Sequence, residues 1–423
     1  MYQKTKIPNG PLLLTAPRSG TSAITLLILV PVGSRHETRD INGSSHFCEH
    51  LMFKGTKKRP TSLDLTKELD AVGAEYNAYT SKDHTGYYIK ASADHLELAY
   101  DILSDMVRNS VFDAKEVDKE RGVIVEEINM YEDNPLMHVE NLFEEAVFGK
   151  DHPMGWNIAG PREVIKTVPR DRLYQYYQAH YHPQRMVVAL AGKFSQAKVV
   201  ALTKKHFTAE RKPPVAGTYA AFKGVQDKPR VIVSHKTTEQ VQLCLGYPAY
   251  PYGHKDLPAL TLLSVILGGN MSSRLFASVR EKHGLAYFIR ASTSPYQDTG
   301  AFVVQAGLDK ARLEQAITLI LEELKKVVAA GVTAKELSDA KDFLQGKVVL
   351  ELEDSAHLAE WYGKQQLLTG KLKTPEQRLA ELKKVKLADV QRVAADIFDR
   401  KRVNLALIGP YEYEEPFLKL LSL

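Results

Sequence analysis

The same order of strands and helices occurs twice along this chain, and that repeat constrains its fold more than any other feature. In the first half, Ala23 to Val32 is predicted as a strand rich in β-branched and leucine residues, followed by a turn at Gly33 and a loop to Gly43. A helix follows, with Ser44 and Ser45 as N-cap candidates and Gly55 placed to end it. Next come a helix near Leu63 to Val72, a hairpin of Glu75 to Thr80 and Thr85 to Ser92, and helices near His95 to Arg108 and Ala114 to Tyr131. A strand at Met186 to Ala191 and a helix after Ser195 close the half. In the second half Gln240 to Tyr247 mirrors the first strand, Ala286 to Thr293 with Gly300 to Ala306 mirrors the hairpin, and Arg402 to Ile408 mirrors Met186 to Ala191. Helices near Leu257 to Leu267, Arg312 to Ala329, Ala334 to Leu350 and Ala388 to Phe398 fill the matching slots.

The fold class this implies is α+β: two homologous domains from an internal duplication, each an antiparallel β-sheet packed with helices on one face. At 423 residues the chain is long enough for two cores. The stretch Lys212 to Gly224, with two prolines and two glycines, reads as the joint, giving domains 1–211 and 227–423 around a linker 212–226.

Charge and cysteine content narrow the function classes. The net +5 arises from 56 basic and 51 acidic residues without a long single-sign block, so nothing favours nucleic acid as a partner. Two cysteines, Cys48 and Cys244, cannot build a disulfide framework and fit a reducing compartment. Met1 to Gly10 is polar, and Ile24 to Val32 is too short for a membrane span and too far in for a signal peptide. The expectation is a soluble cytoplasmic protein with no membrane partner.

The chemistry concentrates in His46-Phe47-Cys48-Glu49-His50. Residues four apart share a helical face, so His46 and His50 can offer two imidazoles to one ion, with Glu49 near the same face to act on a water. Zinc suits such ligands, and the order His-x-x-Glu-His is an inverted metallopeptidase signature. A third ligand is needed. Glu120 and Glu127, seven apart, share a face of the helix predicted there, and helical phase alone does not exclude Glu126. Cys48 lies on another face from the histidines and reads as a small buried packing residue. His180 and His182 flank Tyr181 before Pro183 and mark a helix end, while His84, His138 and His152 have no partner at metal-ligand spacing.

The run HFCEHLMFKGT (46–56), the segment ERGVIVEEINMYEDNP (120–135) and GLAY (284–287) together resemble the pitrilysin and insulysin family of inverted zincins, nearest to its mitochondrial-processing-peptidase-like bacterial branch. The resemblance covers nearly the whole chain, duplication included. It implies Glu127 as the third zinc ligand, one zinc ion per subunit, and Glu120 as a carboxylate that orients a histidine. It also matches Arg280 and Tyr287 to the pair that engages substrate, the tyrosine hydroxyl stabilising the oxyanion and the arginine holding substrate and orienting the tyrosine. The glycines Gly268 and Gly269 lack the Gly-Lys-Ser/Thr ending of a phosphate cradle and read as a loop. Asn77 and Ala78 match the edge strand onto which an extended peptide adds.

The activity this implies is a zinc-dependent endopeptidase that hydrolyses peptides or unfolded polypeptide segments inside a clamshell cavity, with Glu49 as general base. In the family's short members the arginine–tyrosine pair comes from a partner subunit, which implies a homodimer with composite sites or, as the alternative, a heterodimer with an inactive paralogue. The rival from another class is a non-catalytic scaffold or peptide-binding member of the same fold.

Overall fold

The computed structural model describes residues 2–209 and 218–422; of the expected linker, residues 212–217 lie outside the described residues. The chain packs into two compact units, each assembled from three segments. Met1–Ile128, Asn157–Ala220 and Val348–Thr374 form the first; Asn129–Trp156, Ala221–Lys347 and Pro375–Leu423 form the second. The duplication runs along the chain in halves, whereas packing exchanges helical segments between those halves.

In the first unit, β1 (Gln3–Lys6), β2 (Leu12–Pro17), β3 (Ala23–Val30), β4 (Glu75–Thr80), β5 (Thr85–Ser92) and β6 (Val187–Gly192) form one sheet in the order β1-β2-β6-β3-β5-β4. In the second, β7 (Arg230–His235), β8 (Gln240–Ala249), β9 (Ala286–Pro295), β10 (Gly300–Asp309) and β11 (Asn404–Gly409) take the order β7-β11-β8-β10-β9. The run β6-β3-β5-β4 thus has its counterpart in β11-β8-β10-β9. Neighbours are antiparallel except for one parallel pair in each sheet, β2 with β6 and β7 with β11. Those parallel partners, together with β1, go beyond what periodicity predicts. Each is a short apolar or mixed run, and β2 and β7 pair with strands far away in the chain.

Helices cover both faces of the central strands rather than one. Side chains alternate across a strand, so a strand buried on both faces reads as a near-continuous apolar run, as β3 (AITLLILV) does apart from Thr25, whose hydroxyl lies 2.8 Å from that of Ser355. Ile24, Leu26 and Ile28 pack into the larger core beneath the helices of the first half. Leu27 and Leu29, with Leu14, Ala16, Val187, Ala189 and Ala191, pack instead against Leu358, Ala359 and Tyr362 of the helix Ser355–Thr369. Gly363 makes that approach possible, because a Cβ there would stand 2.8 Å from a methyl of Leu29. The second unit repeats the arrangement: Val139, Phe143 and Val147 of the helix Pro135–Phe148 cover Cys244, Ala301, Ala406 and Ile408.

Candidate active site

The helix Ser44–Leu51 carries the His-x-x-Glu-His motif, and its start is held differently from the expectation. Ser44 and Ser45 lie inside the first turn. Gly43 precedes them in the left-handed conformation, φ 99°. The helix N-terminus is capped instead by Glu37, whose carboxylate accepts the backbone N–H of Gly43 and of Ser45, both at 2.7 Å, and the side-chain amide of Asn42 at 2.9 Å. Burial holds the Glu37 carboxyl above its ordinary value, and these three donors offset only part of that rise. Ser44 and Ser45 bond to the Ile41 carbonyl and the Tyr176 hydroxyl. Nor does Gly55 end the helix, which stops four residues earlier. With φ at 124°, Gly55 has its absent Cβ 2.2 Å from the Pro60 carbonyl oxygen, and only glycine fits there.

The loop before this helix is tied to the turn of the β4–β5 hairpin. Ser34 and Arg35 donate their backbone N–H to the carbonyls of Ser81 and Lys82, and the buried Arg35 guanidinium pairs with Asp83 at 2.7 Å. Motif helix and edge strand are thereby set in fixed register.

One turn apart, His46 and His50 face each other with their Nε2 atoms 3.2 Å apart. Glu127 Oε2 lies 3.2 Å from His50 Nε2 and 3.5 Å from His46 Nε2. Glu127 comes from the helix Ala114–Asp133, whose buried stripe is Val117, Glu120, Ile124 and Ile128. A carboxylate thus occupies an apolar position of that stripe, and Glu127 sits at its margin, while Glu126 is exposed on the other side. Glu120 Oε1 lies 2.8 Å from His50 Nδ1, and its other oxygen pairs with Lys54 at 2.7 Å. With Nδ1 turned to Glu120, Nε2 is the ring atom of His50 that faces Glu127 and would serve as an ion's ligand.

Two imidazole nitrogens and a carboxylate oxygen converging in this way are a donor set for a borderline cation such as zinc. Without a cation, two nitrogens at 3.2 Å need a proton between them. Burial disfavours charge on His50, yet the carboxylates of Glu120 and Glu127 hold its pKa up to about 9. Hydrogen bonds from His46 and His50 hold Glu127 far below the ordinary carboxylate range. Both shifts say that the cluster favours a positive charge at its centre, and the residues present fit the metal.

Glu49 projects beside this cluster and accepts the hydroxyl of Thr80, the last residue of β4. Burial raises its pKa, against the opposing pull of Thr80 and the two histidines. The strand β4 is an edge strand: Asn77 and Ala78 pair with Tyr88 and Tyr87 on one side only. In the second unit Arg280 lies in a π-helical turn, Phe276–Lys282, its guanidinium 5.8 Å from the Tyr287 ring. Tyr287 is the second residue of β9 and is 72% exposed.

Glu37, Lys54 and Thr80 go unremarked when the sequence is read alone. Lys54 stands four residues after His50, a spacing that offered a signal; Glu37 and Thr80 act across turns and carry none.

Residues 13–162 match the family described as Insulinase (Peptidase family M16), and residues 167–344 the one described as Peptidase M16 inactive domain. An uncharacterized zinc protease of Streptomyces coelicolor is 38% identical over 96% of this chain and 89% of its own length. Another from Bacillus subtilis is 36% identical over 97% and 98%. Among solved structures, a protease from Helicobacter pylori superposes with a TM-score of 0.90 at 26% identity, covering 97% of this chain and 99% of its own. The peptidase M16 inactive domain from Pseudomonas fluorescens shares the fold, with a TM-score of 0.89 at 19% identity over 97% and 98%.

Proposed function

We propose, from the premise that this chain belongs to the insulinase family of peptidases, M16, that it is a zinc-dependent endopeptidase acting on peptides or unfolded polypeptide segments. The observation that carries the reading is the convergence of His46, His50 and Glu127 beside Glu49, at the end of an edge strand. The description "inactive domain" applies to residues 167–344, which hold none of these four side chains.

His46, His50 and Glu127 would hold one zinc ion per chain, which when bound supplies a Lewis acid and lowers the pKa of water. An extended peptide pairs with the free edge of β4 at Asn77 and Ala78, so main-chain hydrogen bonds supply affinity with little demand on sequence. Thr80 holds one oxygen of Glu49 and fixes the rotation of its carboxylate. The other oxygen takes a proton from the attacking water and returns it to the leaving amine. Tyr287 donates its hydroxyl to the carbonyl oxygen as charge builds there, and Arg280 orients Tyr287 and the substrate.

The zinc-loaded chain is expected to cleave unstructured peptides of a mixed library, with cleavage abolished by a strong zinc chelator and restored by stoichiometric zinc. Cleavage that survives in metal-free protein would overturn the reading, as would a zinc-loaded protein that cleaves nothing.

The resemblance to short family members supports a homodimer in which each copy supplies Arg280 and Tyr287 to the other's zinc centre. Mixing a Glu49→Gln chain with a Tyr287→Phe chain is then expected to restore about half of the wild-type rate per mixed dimer, because one of its two sites is complete. No rescue, with subunit exchange verified by mass spectrometry, refutes the composite site.

A further inference from the structure

The two hairpins produced by the duplication differ at one residue. In the first unit β4 and β5 pair without interruption from Glu75↔Lys90 to Thr80↔Thr85. In the second, Gly307 pairs with Phe288 but Leu308 pairs with Ala286, so Tyr287 is the extra residue of a β-bulge. A bulge turns its extra residue out of the pleat and bends the strand locally. Regular alternation would place neighbours 286, 287 and 288 on opposite faces in turn; the bulge releases Tyr287 from that rule and leaves it exposed.

The turn that precedes the bulge is held from outside by Arg312. Its guanidinium donates to the carbonyls of Gly284 at 3.0 Å and His283 at 3.3 Å, the turn that joins Arg280 to Tyr287. Asp309 fixes the other side of the guanidinium at 2.9 Å and also gives its backbone N–H to the Leu285 carbonyl. Gly284 itself is left-handed, φ 60°, and gives its N–H to the Arg280 carbonyl, while His283 Nδ1 lies 2.8 Å from the Ser278 carbonyl. Arg312 is half exposed and takes no part in the core, so its geometry serves the turn.

We propose that Arg312, held by Asp309, is a positioning residue that braces the His283–Leu285 turn and thereby aims the bulged Tyr287 at the substrate. The proposal deepens the peptidase reading and rests on it. Arg312 touches no reacting atom; it acts through Tyr287.

The test uses the full zinc-loaded protein and an unstructured fluorogenic peptide. Arg312→Gln is expected to lower kcat by about 10-fold to 100-fold, the scale on which a misplaced catalytic group costs rate, with KM changed less than about threefold. Zinc content is unchanged, because the ligands lie in the other unit. In a Tyr287→Phe background the same substitution is expected to cost nothing further, since the group it aims is gone. Asp309→Asn reproduces a smaller version of the defect. Hydrogen exchange at the amides of residues 284–288 is expected to quicken in Arg312→Gln, a readout independent of turnover. Losses that multiply in the double variant, or exchange that stays at the wild-type rate, overturn the positioning role. Absence of hydrolysis in the wild-type protein instead sinks the peptidase reading, and the exchange measurement still decides whether Arg312 braces the turn.

Discussion

Replacing Glu49 with glutamine is expected to leave zinc bound and the fold intact while lowering kcat by at least about 10³-fold. Glutamine keeps the shape of the side chain and can still accept the Thr80 hydroxyl through its carbonyl oxygen. What it loses is the ability to take a proton, and general base catalysis of this kind contributes about 10²-fold to 10⁴-fold. In the proposed mechanism the same residue also passes the proton to the leaving amine, so both halves of the step suffer. KM for an unstructured peptide should change little, since the proposed pairing along β4 uses backbone groups. A variant that retains its zinc and hydrolyses at more than a tenth of the wild-type rate removes Glu49 from the role.

The second large effect concerns the metal. Glu127→Ala removes one of three converging donors and is expected to yield protein without zinc after dialysis, whereas Glu126→Ala, one residue away, keeps its full content. Glu120→Gln lies between them. It keeps both histidines but loses the carboxylate behind His50, and outer partners of this kind are worth about 10-fold to 100-fold in metal affinity. Competition against a chromogenic chelator ranks the three. Glu126→Ala losing zinc while Glu127→Ala keeps it would falsify the ligand assignment.

That contrast also shows where sequence is informative and where it stops. The hairpins, the central strands and the duplication are legible because their apolar alternation is local and occurs twice. The pair of histidines is legible because four residues is one helical turn. The choice among Glu120, Glu126 and Glu127 is not, since it depends on the rotation of the helix Ala114–Asp133 about its axis relative to another helix. In the structure that rotation is set by Val117, Ile124 and Ile128 packing into the core. Glu37 is a stronger instance. Two serines stand where a helix cap belongs, yet a carboxylate from beyond the turn takes the two N–H groups, because the Gly43 conformation brings the chain back past it. The parallel partners β2 and β7 were equally hidden, as nothing in a six-residue run names the distant strand it joins. The one-residue bulge at Tyr287 leaves no trace in composition and becomes visible only as a register.

The helix Ser355–Thr369, which closes the second face of the first sheet, gives the folding of this chain an order in time. All six strands of the first sheet and the cluster of His46, His50 and Glu127 have been synthesised by residue 192, yet Leu14, Leu27, Leu29, Val187 and Ala189 acquire their cover only from residues 352–362. At about 5–20 residues per second, a ribosome emerges from that interval after roughly ten to thirty seconds. For that period the nascent first half presents a broad apolar sheet face to its surroundings, an aggregation hazard of the kind chaperones exist to shield. The cluster of His46, His50 and Glu127 therefore gains its completed scaffold late, and under the proposed function a peptidase whose scaffold closes only near the end of translation has little chance to act on its own unfinished chain.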